Sequence, residues 1–77
     1  MNKGNLSLLR KGDSRRITQV NMGESSLRLM ELGLVPGVLI KVIAISPFGD
    51  PIAIELADCC CISLRKSDAC QVLVEEI

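Results

Sequence analysis

The sequence has 77 residues and a formal net charge of zero, with nine basic and nine acidic side chains and no histidine. A neutral chain with one aromatic residue lacks the basic face and the stacking side chains of nucleic-acid-binding modules, so we expect no nucleic-acid partner. Without histidine, the commonest general base, we expect no enzyme. A chain of this length predicts one domain, over residues 1–77.

The hydropathy pattern bears on where the protein works. No segment approaches the ~20 apolar residues that a membrane span requires, and residues 1–13 lack the apolar core of a signal peptide. We therefore expect a cytoplasmic protein without direct membrane insertion. In that compartment the four cysteines are expected to be reduced thiols.

The first part of the chain predicts one strand. Residues 1–5 are polar and are expected to be loose. Leu6 and Leu9 are expected to plug the core, ahead of a turn at Gly12. Residues 14–20 then predict a strand with one solvated, basic face.

A two-turn helix is predicted over residues 26–32, with capping hydroxyls at its start and Gly33 as its stop. Leu29 and Leu32 lie three residues apart, so we expect both to point into the core. Such a short helix is unstable alone and must be held by packing.

The second half predicts four more strands and a helical turn. Residues 39–46 and 52–56 should form a hairpin around the turn at 47–51. In the strand after it Cys60, Ile62 and Leu64 are expected inward, followed by a helical turn at 66–70 capped by Ser67 and a strand at 71–75. The pattern predicts a mainly β fold, a small, partly open antiparallel barrel of about five strands with one short inserted helix.

The cysteines allow two interpretations. Cys59 and Cys61 share one side of a strand and could bind a transition metal together with Cys70. Their spacing is unlike the C-x-x-C loops of zinc and iron–sulfur sites. We therefore favour Cys60 and Cys70 as small core residues, and expect no cofactor.

Apolar residues in two turns are the better functional signal. Phe48, the single aromatic residue, is predicted at a hairpin tip, where polar residues are usual. It either folds down as a lid or docks on a partner, and Leu34 and Val35 present the same choice. Our hypothesis is a protein-docking patch made of six residues: Arg28, Met30, Leu34, Val35, Pro47 and Phe48.

The string R-L-x-x-L-G-L-x-P-G, followed by P-F-G-D-P, resembles the FeoA family. The matching positions are Arg28, Leu29, Leu32, Gly33, Pro36, Gly37, Pro47, Gly49, Asp50 and Pro51. Both ends of the chain are also similar to the family, and Cys59-Cys60-Cys61 departs from the glycine-containing turn usual there.

The resemblance implies an SH3-like barrel with an inserted helix and a non-catalytic accessory role in bacterial ferrous iron uptake. It implies docking on the cytoplasmic GTP-binding part of FeoB, the membrane transporter. An alternative is a metal-responsive sensor related to the C-terminal SH3-like domain of iron-dependent repressors, with Cys59, Cys61, Asp58 or Glu55 as ligands. A third is a self-associating structural module that uses exposed strand edges.

Overall fold

The computed structural model describes residues 3–23, 26–57 and 60–77, and these form one curved antiparallel sheet with short helices. The strands are β1 (Lys3–Asn5), β2 (Ser14–Val20), β3 (Leu39–Ile45), β4 (Ile52–Leu56), β5 (Cys60–Leu64) and β6 (Val72–Glu75). The helices are α1 (Ser26–Glu31) and α2 (Lys66–Ala69), with a 3₁₀ turn at Leu6–Leu8. The strand order across the sheet is β1-β6-β2-β3-β4-β5, and every pairing is antiparallel.

The core follows the alternation of apolar residues along the strands. In β4 the side chains of Ile52, Ile54 and Leu56 are buried, as the period of two predicts. Aliphatic residues from every layer complete the core: Leu6, Ile17, Val20, Leu29, Leu34, Ile40, Val42, Leu64, Ala69, Val72 and Val74. The mainly β, SH3-like prediction is confirmed, with six strands in the described part of the chain instead of about five.

Two irregularities in the register bend the sheet. The pairing shifts between Ile17 and Gln19 in β2, and between Val42 and Ala44 in β3. An extra residue on one strand increases the local twist and lets a small sheet curl around its own core. Gly37 ties the loop after α1 to this curved sheet, because its amide donates to the Ile17 carbonyl at 2.7 Å.

The expectation of a loose start is wrong for residues 3–5, and residues 1–2 lie outside the described part. Strand β1 pairs with β6, with Gly4 opposite Val74 and Asn5 opposite Leu73. Leu6, which follows directly, is fully buried and anchors the strand. A polar segment thus becomes a strand because a partner strand from the far end of the chain is available.

The end of α1 differs from the prediction as well. The helix stops at Glu31, and Leu32 remains 44% exposed while Leu34 is fully buried. Gly33 adopts a positive φ of 106°, which turns the chain, and the Leu34 amide donates to the Leu29 carbonyl at 3.0 Å. This turn brings Leu34, instead of Leu32, into the core beside Leu29.

Ser26, at the start of α1, does not make the expected capping bond. The Ser26 hydroxyl donates to the Gly23 carbonyl at 2.9 Å, so it closes the preceding turn. The other predicted capping positions, 24 and 25, lie outside the described residues. Over the described ranges, no helix is long and apolar enough to cross a bilayer.

Candidate protein-binding surface

The turn between β3 and β4, residues 46–51, presents Phe48 to solvent. The Phe48 side chain is 93% exposed, so its interpretation as a lid on the core is wrong. The turn is ordered by its own backbone: the Gly49 amide donates to the Ser46 carbonyl at 2.7 Å, and the Ser46 amide donates to the Pro51 carbonyl at 3.2 Å. A large apolar ring is therefore held away from the core on a closed turn.

This turn is fixed to α2 by one side chain. A carboxylate oxygen of Asp50 accepts a hydrogen bond from the Lys66 backbone amide at 2.9 Å. The first amides of a helix have no partner within the helix, so Asp50 acts as a cap supplied from a distant loop. The expected Ser67 cap is wrong, since Arg65 occupies the cap position and its side chain makes no capping bond.

Helix α2 is in turn joined to α1. The Arg28 guanidinium lies 2.8 Å from a carboxylate oxygen of Asp68, whose side chain is only 11% exposed, against 65% for Arg28. The pair is charge-assisted and partly shielded from solvent, which makes it stronger than a fully exposed ion pair. It fixes the position of the short helix α1 relative to α2.

Together these contacts define one surface, which we call the hairpin–helix surface: Arg28, Pro47, Phe48, Asp50 and Lys66. Three of the six predicted docking residues, Arg28, Pro47 and Phe48, belong to it. In the sequence Asp50 was a position of the turn and of the family motif, and Lys66 began a helical turn. Local pattern did not predict their contact, because it joins segments 16 residues apart.

The other three predicted docking residues separate. Leu34 is fully buried and cannot take part in a surface contact, so the prediction that it belongs to the docking patch is wrong. Met30 and Val35 are 36% and 37% exposed and are available to a partner. Leu27, which the prediction omitted, is more exposed than either and lies three residues from Met30 on α1.

The three cysteines that the structure describes lie on the surface. Cys60, Cys61 and Cys70 are all exposed, so the expectation that Cys60 and Cys70 are core residues is wrong. Cys70 follows α2, and its thiol donates to the Ser7 hydroxyl at 3.3 Å. Within the described ranges no three cysteine or acidic residues are grouped as metal ligands, and Cys59 and Asp58 lie outside those ranges.

A second surface feature lies at the opposite end of β3 from Phe48. It is a groove of about 130 Å³, below the ~300–1,000 Å³ of typical small-molecule sites. Lys41 and Glu55 face each other across β3 and β4 along it. The lining consists of Ser14, Leu39, Ile40, Lys41, Glu55, Ala57 and Ile77.

The six-stranded antiparallel sheet, the inserted helix and the exposed hairpin define the class: a small SH3-like β protein. The model of the FeoA domain matches residues 4–76. The chain belongs to the FeoA family, a family of ferrous iron transport, and the resemblance expected from residues 28–51 is confirmed.

Solved structures agree with this assignment. The chain is 28% identical to a FeoA-like protein from Clostridium acetobutylicum, with a TM-score of 0.90, over 100% of this chain and 90% of that one. It is 29% identical to zinc-complexed FeoA from Stenotrophomonas maltophilia, an SH3 domain protein, with a TM-score of 0.78, over 92% of this chain and 88% of that one.

A more distant likeness concerns the fold alone. A manganese-dependent transcriptional repressor in complex with manganese is 18% identical, with a TM-score of 0.87, over 100% of this chain and 38% of that chain. This likeness shows that part of the repressor has the same fold as this chain. A search of curated protein sequences finds no match.

Proposed function

We propose that this chain is a non-catalytic accessory protein of bacterial ferrous iron uptake that docks on the cytoplasmic GTP-binding part of a FeoB-type transporter. Docking would place the protein on the cytoplasmic side and would modulate the transporter's nucleotide cycle or gating. Membership of the FeoA family supports the link to iron transport. The support for docking is the exposed hairpin–helix surface.

The observation that carries the proposal is the exposure of Phe48. A fully exposed phenylalanine on an ordered turn costs solubility and adds nothing to the core, whereas aromatic rings that enter a partner's pocket contribute strongly to binding. Asp50 holds the turn against α2, so the ring is presented with little loss of conformational freedom. Lys66 and Arg28 lie on the two helices that this turn is joined to, through the Asp50–Lys66 bond and the Arg28–Asp68 pair.

The test is an NMR titration of isotope-labelled protein with the cytoplasmic part of its own FeoB, with and without GTP. We expect amide shifts at residues 46–51 and 66–68 and along α1, and little change at the groove formed by Leu39 and Ile77. Phe48→Ser should abolish binding. Ile77→Ser is the matched control, because Ile77 is also a large exposed apolar residue and lies at the other end of β3.

Binding by the two variants distinguishes the hairpin–helix surface from the groove. Loss of binding in Phe48→Ser with binding retained in Ile77→Ser would support the hairpin–helix surface. Equal binding by both variants, or shifts confined to the groove, would contradict it. Absence of any shift in either nucleotide state would contradict docking on the cytoplasmic part.

The alternative, a metal-responsive sensor, makes a different prediction. Its support is the similarity of fold to a manganese-dependent repressor. At 18% sequence identity this similarity does not show that the two proteins bind the same ligand. If Cys59, Cys61 and Cys70 bind a metal, the reduced protein titrated with cobalt should develop a thiolate charge-transfer band. A flat spectrum would exclude these thiolate ligands, so that only Asp58 and Glu55 of the expected sensor ligands would remain, and it would not affect the docking proposal.

A further inference from the structure

The two edges of the sheet are built differently. β1, at one edge, has three residues and begins with Lys3, and the buried 3₁₀ turn follows it. β5, at the other edge, has five residues of sequence CCISL, without a charge, a proline or a glycine. Charges, prolines and short length are the usual protection of sheet edges against further pairing. β1 is protected by its short length, and β5 has none of these protections.

Within the part of the chain that the structure describes, no strand pairs with the outer side of β5. β4 runs along its inner side, in the register Ala53 opposite Ser63 and Glu55 opposite Cys61. No other element of the described part packs extensively along β5. Cys61 and Ser63 are exposed, and Ile62 between them is only partly buried. The strand therefore presents an open, neutral edge.

We propose that this edge is a self-association surface, on which a second copy of the chain pairs its own β5 antiparallel about a two-fold axis at Ile62. In this register the two copies of Ile62 face each other. Cys61 faces Ser63 of the second copy, and Ser63 faces Cys61 of the second copy. The two sheets then continue as one sheet across the axis.

Charge favours a second copy as the occupant. β5 carries no charged side chain, so self-pairing brings no like charges opposite each other. The whole chain has a formal net charge of zero, so two copies do not repel each other at long range. Because the two-fold pairing consumes the open edge of both copies and leaves only the short β1 edges, the assembly closes as a dimer.

The size of the contact sets its strength. Five residues in a strand span roughly 17 Å, so the contact belongs with weak, transient interfaces of less than ~1,200 Å². The dimer should therefore appear at concentrations of about 0.1–1 mM and dissociate on dilution. The β5 edge shares no residue with the hairpin–helix surface, so separate experiments test the two inferences.

The first experiment uses the natural chain. Isotope-labelled protein under reducing agent is diluted from about 1 mM to about 20 μM, a range that brackets a weak dimer, and the amide shifts are followed. We expect concentration-dependent shifts at residues 60–64, with Phe48 and α1 unchanged. Unchanged β5 amides, or shifts located at another surface, would overturn the proposal.

The second experiment tests the register by charge. The double variant C61K/S63K places a lysine opposite a lysine twice across the axis and should weaken association roughly tenfold. The variant C61K/S63E places lysine opposite glutamate and should associate at least as well as the natural chain. Glu55 lies opposite position 61 within each copy, so the lysine there is tolerated in the folded monomer.

Sedimentation equilibrium compares these variants with Q19K/M22K, which adds the same charge at exposed positions on and just after β2, three strands away from β5 in the sheet order. Q19K/M22K should associate like the natural chain. Equal association of C61K/S63K and C61K/S63E would overturn the two-fold register at Ile62. Any variant that failed to fold would leave the dilution experiment on the natural chain to decide.

Discussion

Leu34 and Phe48 are both apolar residues in turns next to β3, yet one is fully buried and the other is 93% exposed. The turn before β3 is drawn onto the sheet. The Leu34 amide bonds to α1 and the Gly37 amide bonds to β2, so residues 33–37 fold over the core. The turn after β3 bonds mainly within itself and to the start of α2, so its tip stays in solvent.

This difference assigns the two regions separate tasks. The turn around Leu34 contributes to stability, because the apolar side chain fills the space between α1 and the sheet. The turn around Phe48 contributes little to stability and is available to a partner. Four substitutions test this division.

The largest effect is expected for Leu34→Ala. Removing a fully buried leucine side chain costs about 2–5 kcal/mol, a large part of the ~4–11 kcal/mol expected for a domain of this size. Urea denaturation should show a lower midpoint at unchanged slope. Val35→Ala, at the partly exposed neighbour, is the control. An equal loss in both would contradict the distinction between the two positions.

Gly33→Ala tests the turn that brings Leu34 inward. At a φ of 106° an alanine is strained, and we expect a loss of about 1–3 kcal/mol. A Cβ there would lie 3.5 Å from a Leu56 methyl group, an ordinary contact, so the cost arises in the backbone. Gly23→Ala, where a Cβ meets nothing within 4 Å, is the control and should be nearly neutral. A stable Gly33→Ala protein would show that this turn does not need glycine.

Asp50→Ala tests how the exposed turn is held. Loss of its bond to the Lys66 amide should cost about 1 kcal/mol and speed hydrogen exchange at that amide. Asp50→Asn keeps an acceptor oxygen and should retain most of the protection. Asp13→Ala removes a comparable exposed bond to the Arg10 amide and should leave exchange at Lys66 unchanged. Unaltered exchange in Asp50→Ala would refute the capping role.

The smallest effect on stability is expected for Phe48→Ser. The ring is almost fully exposed, so the free energy of unfolding should change by less than about 0.5 kcal/mol. Thermal and urea unfolding of this variant and of the natural chain should nearly coincide. A loss similar to that of Leu34→Ala would show that the ring packs on the core in solution.

Local patterns in the sequence predicted the central part of the fold correctly. The alternation in β4, the β-branched run of β3 and the turn residues at 47–51 predicted the central hairpin, because strand and turn preferences are properties of neighbouring residues. The motif around Arg28 and Gly33 carried the resemblance to the family, which the match over residues 4–76 confirms.

Other features depend on contacts between segments that are distant in the sequence, and local patterns did not predict them. Residues 3–5 became a strand because β6 lies beside them, and Asp50 became a helix cap because the turn meets α2. Cys60 stays exposed because β5 lies at a sheet edge, although its alternation with Ile62 and Leu64 predicted that it points inward. Cys61 is exposed, as the same alternation predicts. Periodicity shows which residues share a face, but only the packing of the whole chain decides which faces and edges are covered.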